Sequence, residues 1–427
     1  MDTRLKIRMM DMLLRGNKNF MTIYTPRGTK KYFHLVKRFL ATNWLSLWKP
    51  TQIAITGSQG KTNVTNMLAT ILAQYGSTIR TDLTLDTTFN VPITSLKVMP
   101  WTTFLLWELG IDHPGEMAHH LEIARPGIAC VTGISPVHTD HEHMGSLEVL
   151  IQEKRKIIEA LPESGTAVLN HDDAMVKQMA SHTKASIKWY GSTKECDMFV
   201  YPNTINVSLE GTSADFSIRG KRVLIKTGLI GIHHTETIMA SYLLTQSVIT
   251  SDILDSFCTT VAKISPLRGR MSVEKGPMNT ILLNDSLRAN PHSTNAGLKT
   301  LEMIEYSTGK KIAVIGEMGE LEHPEQEHKK TGELLAKLNI DFVIGIGHLR
   351  KYTIDTAIQH GFSREKIVYT EDVFQAAELL KSVLKPGDLW YLKGSLLRNY
   401  KRIVQLLNNE EVCCKRVMCP YEHCGYN

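Results

Sequence analysis

The stretch Thr56-Gly57-Ser58-Gln59-Gly60-Lys61-Thr62 holds the residue types needed to bind a polyphosphate. Glycines let backbone amides turn inward, and a following helix adds positive potential at its N-terminus, so anionic phosphate groups settle there. In such a loop Lys61 would contact the β- and γ-phosphates and the Thr62 hydroxyl would bind Mg²⁺. The context fits: Ile53–Thr56 reads as a short buried strand, and Asn63 to Tyr75 as a helix with Val64, Met67, Leu68, Ile71 and Leu72 on one face. The loop is shorter than the usual Walker form, since Ile55 stands where its first glycine would be. Alone it supports nucleotide binding and leaves kinases, GTPases and ligases open.

Other candidate residues follow. Glu108 ends a predicted strand, where a carboxylate near a phosphate loop is well set to bind Mg²⁺. His138, His141 and His143 crowd one segment, but no second ligand cluster follows at zinc-finger spacing. Cys413, Cys414, Cys419, His423 and Cys424 lie near the C-terminus in a spacing that matches no standard finger.

The elements around these residues alternate. Phe104–Leu109, Ile128–Thr132 and Ala167–Asn170 read as strands, and Leu147–Leu161 as a helix ended by Pro162. Residues 197–230 read as short β segments flanking the same domain, and Ile238–Ile249 as a helix. A break falls near Ser265–Gly269. Alternation then restarts with strands at Thr280–Asn284, Ile312–Ile315, Phe342–Ile346 and Leu389–Leu392, and helices at Glu327–Leu338 and Val373–Leu384. This is an α/β chain: a central P-loop ATPase domain with a mainly parallel sheet, then a C-terminal Rossmann-like domain. The expected division is a basic, partly helical segment over 1–49, a central ATP-binding domain over 50–264, a C-terminal domain over 265–408 and a Cys-containing, disordered tail over 409–427.

Several classes are excluded. The formal net charge is +6, yet residues 1–50 carry eleven Lys and Arg against two Asp and Glu, so the body is net negative. A nucleic-acid binder should carry its basic face on the folded domain, so none is expected. Seven scattered cysteines suit a reducing compartment. With no signal peptide and no apolar run of about 18 residues, a cytoplasmic protein is expected. Phe33, Phe39, Trp44 and Trp48 lie among Lys30, Lys31, Lys37, Arg38 and Lys49, a pattern for a helix packing on the next domain or for peripheral contact with an anionic inner membrane face.

The motifs together resemble the Mur ligase family. Trp107-Glu108-Leu109-Gly110-Ile111-Asp112-His113-Pro114-Gly115-Glu116-Met117 is similar to that family's Glu-Leu-Gly…His-x-Gly-Glu segment, nearest to its D-alanyl-D-alanine-adding (MurF) branch. Leu267-Arg268-Gly269-Arg270-Met271 resembles its Gly-Arg linker. Asn284-Asp285-Ser286-Leu287-Arg288-Ala289-Asn290-Pro291 resembles its Asp-Asp-Ser-Tyr-Asn-Ala-Asn-Pro motif. Gly316-Glu317-Met318-Gly319-Glu320-Leu321 and Lys393-Gly394-Ser395 resemble C-terminal motifs of the same branch. The resemblance spans roughly residues 50–408. It implies ATP-dependent joining of a small-molecule or lipid-linked carboxylate to an amino acid or dipeptide, through an acyl phosphate. It implies two Mg²⁺ ions held by Thr62, Glu108, His138 and an N-carboxylated (carbamylated) Lys154. It also implies that Arg270 reaches the phosphates and Asp285 the ribose, in peptidoglycan precursor synthesis. His138 matches the family histidine best, with His141 and His143 as alternatives.

Three departures stand out. The adenine-contact motif Gly-x-His-Asn is Gly231-Ile232-His233-His234, with His234 in place of asparagine. The asparagine-rich loop is Leu85-Asp86-Thr87-Thr88-Phe89-Asn90-Val91-Pro92. Only about fifty residues precede the loop, too few for the family's UDP-sugar-binding domain, so either a partner protein or another surface is expected to grip the substrate.

Overall fold

The structure, a computed structural model, describes residues 29–82, 87–136, 139, 143–319 and 321–419. His138 and His141 lie outside the described residues. The chain enters through α1 (Thr29–Trp48), then β1 (Thr51–Thr56), α2 (Lys61–Leu72), β2 (Ser77–Arg80), α3 (Thr87–Ser95), β3 (Thr102–Glu108), α4 (Glu116–Leu121) and β4 (Ile128–Val131). Next come α5 (Leu147–Glu159), β5 (Thr166–Asn170), α6 (Ala174–Met179), β6 (Ser186–Gly191), β7 (Met198–Val200), β8 (Asn206–Ser208), β9 (Gly211–Ile218), β10 (Lys221–Thr227), α7 (His234–Gln246) and α8 (Leu254–Ala262). The second unit holds β11 (Ser272–Lys275), β12 (Ile281–Asp285), α9 (Pro291–Met303), β13 (Lys311–Gly316), α10 (Pro324–Leu335), β14 (Phe342–Ile346), α11 (Arg350–Gln359), β15 (Ile367–Thr370), α12 (Val373–Val383), β16 (Leu389–Lys393) and α13 (Lys401–Leu407).

The first sheet has strand order β10-β9-β7-β6-β5-β4-β1-β3-β2, with β8 joined to β9. β1 to β7 run parallel, and β8 to β10 add antiparallel pairs at one edge. Both faces are covered, which is why the central strands read as unbroken apolar runs. Ile53, Ile55, Phe104 and Leu106 pack under Val64, Met67 and Leu68 of α2. Ala54, Leu105 and Trp107 point the other way, toward Leu150 and Ile157 of α5. β1 lies between β3 and β4, so the chain reverses its direction of sheet growth there, and the cleft opens at the carboxyl end of β1.

The second sheet, ordered β11-β12-β16-β13-β14-β15, is parallel except for β11. β12 and β16 pair from Ile281–Leu389 to Asp285–Lys393, so those two charged residues end adjacent strands. α9 starts at an Asn290 cap that accepts from Ser293 N at 2.8 Å, with the Ser293 hydroxyl returning to the Asn290 amide.

α1 buries Ala41 and Leu45 against the central unit. Trp44 donates to Val98 O at 2.6 Å, and Arg38 to His119 O and Glu122. Among the described residues no helix is long and apolar enough to cross a membrane. The stretch read as a loop before Pro92 is helical from Thr87, and Asn90 ties it back to both Asp82 N and Asp82 O. Of the expected tail, residues 409–419 are described, and Cys424 and His423 lie outside the described residues. Arg402 donates to Cys414 O at 2.6 Å and Arg416 O at 2.9 Å, and Cys414 and Cys419 pack together in a buried pair. A buried guanidinium needs acceptors, and backbone carbonyls of residues 414–417 supply them, which orders that stretch.

Candidate active site

The phosphate loop turns sharply out of β1. Gly57 has φ 146°, and a Cβ there would sit 2.1 Å from Thr132 Oγ1, so glycine is required. Gly60 caps α2 in the left-handed region, φ 79°. The loop after β4 braces this turn: Ser58 N donates to Gly133 O at 2.7 Å, Ser58 Oγ to Ser135 O at 3.0 Å, and Ser135 Oγ to Gln59 Oε1 at 2.9 Å. Thr132 Oγ1 donates to Gln59 O. The bracing keeps the loop open around its amides before any ligand arrives.

Two lysines meet on one carbonyl. Lys61 Nζ donates to Gly57 O at 2.7 Å, and Lys154 Nζ reaches the same oxygen at 3.2 Å from α5. Lys154 is 2% exposed, while its neighbours Arg155 and Lys156 reach out to pair with Glu159 and with the buried Glu153. Burial lowers the Lys61 pKa to about 8, helped by Arg288. Burial pushes Lys154 well below the usual lysine range, and the Lys61 charge adds to this. Burial thus favours the neutral amine of Lys154, the state that can react with carbon dioxide.

Opposite them, Thr62 Oγ1 donates to Glu108 Oε1 at 2.7 Å. Glu108 Oε2 is buried without a hydrogen-bond partner among the described residues. A buried carboxylate oxygen without a donor is costly unless a cation or ligand group completes it. Glu116 accepts from Asp112 N at 2.7 Å and His113 N at 3.2 Å, and its pKa is raised by burial above all. The His143 ring lies 5.6 Å from His113, which brings that part of the histidine segment beside the Glu108–Glu116 stretch. Among the described residues no group of three His, Cys, Asp or Glu forms a ready metal cage. The donor set nonetheless suits Mg²⁺, a hard ion that takes one or two carboxylates and a hydroxyl and keeps water and phosphate for the rest.

The other wall comes from α7 and the second unit. The His233 and His234 rings touch at a tilt, with centroids 4.1 Å apart and planes at 43°, and the Nδ1 of each lacks a partner among the described residues. Burial pushes His233 down to about 3 and His234 well below its usual value, so both rings are neutral, and both residues line the cavity that also holds Lys61. Arg270 follows Gly269 (φ 78°) in the junction and borders the same cavity; burial lowers its pKa and the Glu108 charge opposes this. Asp285 Oδ2 accepts from Lys393 Nζ at 2.7 Å and Tyr391 OH at 3.0 Å. Lys393, only 1% exposed, is thus paired.

Residue chemistry had singled out the phosphate loop and Glu108, the family resemblance supplied Lys154, His234, Arg270, Asp285 and the Lys393 motif, and neither gave a role to Arg288, Tyr391 or Thr132. Arg288 lines the cavity and adds positive charge facing both lysines. Its signal was present in the quoted motif, where arginine replaces the family asparagine. The Asp285–Lys393 bond joins residues 108 positions apart, a separation no local pattern reveals.

Two family models match the chain: the Mur ligase middle domain over residues 55–245, and the Mur ligase, glutamate ligase domain over 269–396. The chain is 28% identical over 383 residues to the UDP-N-acetylmuramoyl-tripeptide–D-alanyl-D-alanine ligase of Escherichia coli, covering 88% of this chain and 81% of that protein. Its identity to the enzyme of the same name from Mycobacterium bovis is 28% over 382 residues, with 85% and 74% covered. Among solved structures, MurF from Acinetobacter baumannii superposes with TM-score 0.78 at 20% identity, covering 88% of this chain and 81% of that one. MurF from Thermotoga maritima in complex with ADP gives TM-score 0.76 at 23% identity, covering 88% and 84%. The two domain matches take in most of the chain, including the phosphate loop, Glu108, Lys154, Arg270 and Asp285, and the chain belongs to the Mur ligase family.

Proposed function

We propose that this protein is an ATP-dependent, ADP-forming ligase that makes an amide bond in peptidoglycan precursor synthesis, joining D-alanyl-D-alanine to a muramoyl-tripeptide carboxylate. The observation that carries the reading is the facing pair of incomplete groups: Lys61 and Lys154 on the Gly57 carbonyl, and Glu108 with one orphaned oxygen beside Thr62. The loop amides and Lys61 bind the β- and γ-phosphates, and Arg270 approaches them from the domain junction. His233 and His234 offer neutral ring nitrogens to the base. Asp285, held by Lys393 and Tyr391, keeps Oδ1 for the ribose hydroxyls.

The acceptor carboxylate attacks the γ-phosphorus, ADP leaves, and a mixed acyl phosphate forms. The amine then attacks the acyl carbon, loses a proton and expels inorganic phosphate. Lys61, Arg270 and Arg288 concentrate positive charge where negative charge accumulates in both transition states. Thr62 and Glu108 are assigned to hold Mg²⁺, with a carboxylated Lys154 and a histidine of the 138–143 segment as further ligands; the ion when bound neutralises phosphate charge. Carboxylation turns a buried amine into an oxygen donor, and the neutral state of Lys154 favours it. The second unit closes over the cleft and excludes water from the acyl phosphate.

An ATP-consuming reaction accords with a cytoplasmic protein. α1 leaves Val36, Phe39, Leu40 and Leu47 exposed, in a segment that also carries Lys37 and Lys49, which supports contact of this flank with an anionic membrane face. Sedimentation with phosphatidylglycerol vesicles tests that contact, and a protein left wholly in the supernatant at low salt contradicts it. The function is tested by screening carboxylates against amines for ADP release. The expected result is turnover only when the muramoyl-tripeptide carboxylate and D-alanyl-D-alanine are both present. ATP binding without turnover across wall precursors would contradict it and favour a non-catalytic subunit.

A further inference from the structure

The nucleotide cavity is lined by two acids, and one of them is unpaired. Asp285 is bound to Lys393 and Tyr391, whereas Glu236 makes no hydrogen bond and no ion pair among the described residues. Glu236 stands in the first turn of α7. Gly231 sets that turn: it adopts φ 130°, its amide donates to Thr212 Oγ1 at 3.0 Å, and its carbonyl accepts from His234 N at 3.0 Å. A glutamate at the third helical position can fold back onto the N-cap amide. Here the N-cap is His233, already helical at φ −65° and without a side-chain cap, and the carboxylate is left for another donor.

The two ends of the cavity carry different charges. Arg288, Glu108, Asp112 and Arg270 act on Lys61, at the phosphate end. Asp172 and Asp173, from the turn after β5, act on Glu236. Glu236 thus lies away from the phosphates, where a nucleotide held on Lys61 places its base. The neighbouring His234 is 3% exposed, with Nδ1 lacking a partner among the described residues. An unpaired carboxylate beside an unpaired imidazole nitrogen is expected where a polar ligand completes both. Burial, with Asp172 and Asp173 adding to it, raises the Glu236 pKa to about 7. A carboxylate with acidic neighbours gains most from a hydrogen-bond donor. Adenine offers an amine at C6, whereas guanine and hypoxanthine offer a carbonyl oxygen there.

We propose that Glu236 selects the base, accepting from the exocyclic amine of a 6-aminopurine and turning away 6-oxopurines. The proposal rests on the ligase reading above for the nucleotide's place in the cavity.

The test uses the full chain with Mg²⁺ and three nucleoside diphosphates that differ at purine C6. ADP carries an amine, IDP an oxygen and purine riboside diphosphate a hydrogen. Kd values come from equilibrium dialysis, with inorganic tripolyphosphate as the probe of the phosphate end. The wild-type chain is expected to bind ADP at least tenfold more tightly than IDP, with the riboside between them. Glu236→Gln, whose amide can turn its NH₂ toward an oxygen, should bring ADP and IDP within threefold of each other. Glu236→Ala should make ADP and the riboside equal. Tripolyphosphate should bind all three chains within twofold. The wild-type preference for ADP should also grow from about pH 6 to about pH 8, as the carboxyl loses its proton, and stay flat in Glu236→Gln. Tyr190, pushed up by burial, and His233 and His234, pushed down, stay neutral over that range, and titration of Lys61 cancels in the ratio. IDP bound by the wild type as tightly as ADP overturns the proposal, as does a preference unchanged in both variants. A tripolyphosphate Kd that rises in step with that of ADP gives Glu236 a structural role instead. A chain that shows the preference but forms no amide from any carboxylate and amine overturns the ligase reading and leaves the base selection standing.

Discussion

The two walls of the cleft bury charge in opposite ways. On the second unit, Lys393 is almost wholly buried, yet Asp285 Oδ2 sits 2.7 Å from its ammonium and also accepts from Tyr391 OH. On the central unit, Lys61 and Lys154 share one carbonyl oxygen, and Glu108 keeps an oxygen with no partner among the described residues. A closed pair can hold a shape by itself, whereas an open set acquires its missing partners when phosphates and a cation bind. Under the proposed function, the contrast separates the wall assigned to the chemistry from the wall assigned to positioning the nucleotide.

Substitutions should divide along that line. The largest effect is expected from Lys61→Ala and Glu108→Gln, each lowering kcat/KM for ATP on the order of 10³-fold with little change in Tm, because each removes a group that acts on the reacting phosphates. A large drop in Tm instead would move these residues to the structural side. Lys154→Ala should lower kcat on the order of 10²-fold and be insensitive to added bicarbonate. The wild-type chain, stripped of carbon dioxide at mildly acidic pH, should lose activity and regain it on adding bicarbonate. Activity indifferent to that treatment would remove the carboxylated lysine from the account.

Asp285→Ala should behave differently. It leaves Lys393 buried and unpaired, a change worth about 3 kcal/mol of stability, so thermal unfolding should shift clearly downward while ATP affinity falls more modestly. Asp285→Asn, which keeps an acceptor, should recover part of the loss. Equal effects on stability from Asp285→Ala and Glu108→Gln would erase the contrast between the walls.

The smallest effect concerns pH. Lys61, lowered to about 8 by burial, is charged below that pH and neutral above it, so the free protein should lose ATP affinity as pH rises past about 8, well before an ordinary lysine would titrate. Measuring Kd for ATP from pH 6.5 to 9.5 checks this, and Lys61→Arg should flatten the curve.

Much of this site is legible in the sequence. The strand–turn–helix from Ile53 to Leu72 announces itself because buried parallel strands are continuous apolar runs and the helix keeps a 3.6-residue stripe. Glu108 is legible as a strand end. Lys154 is not legible from pattern alone, since Gln152-Glu153-Lys154-Arg155-Lys156 reads as a solvated face. Its place on the buried stripe with Leu150, Ile157 and Ile158 turns that one lysine inward onto Gly57 O, and family resemblance had to supply its role. The order of 414–417 depends likewise on Arg402 finding carbonyls to satisfy it.

The central claim is that a carboxylate is activated as an acyl phosphate in the cleft between Lys61 and Glu108. Turnover with acceptor labelled by ¹⁸O in its reacting carboxylate tests it most directly. The mechanism predicts one labelled oxygen in the inorganic phosphate for every amide formed. Unlabelled phosphate accompanying amide formation would contradict it.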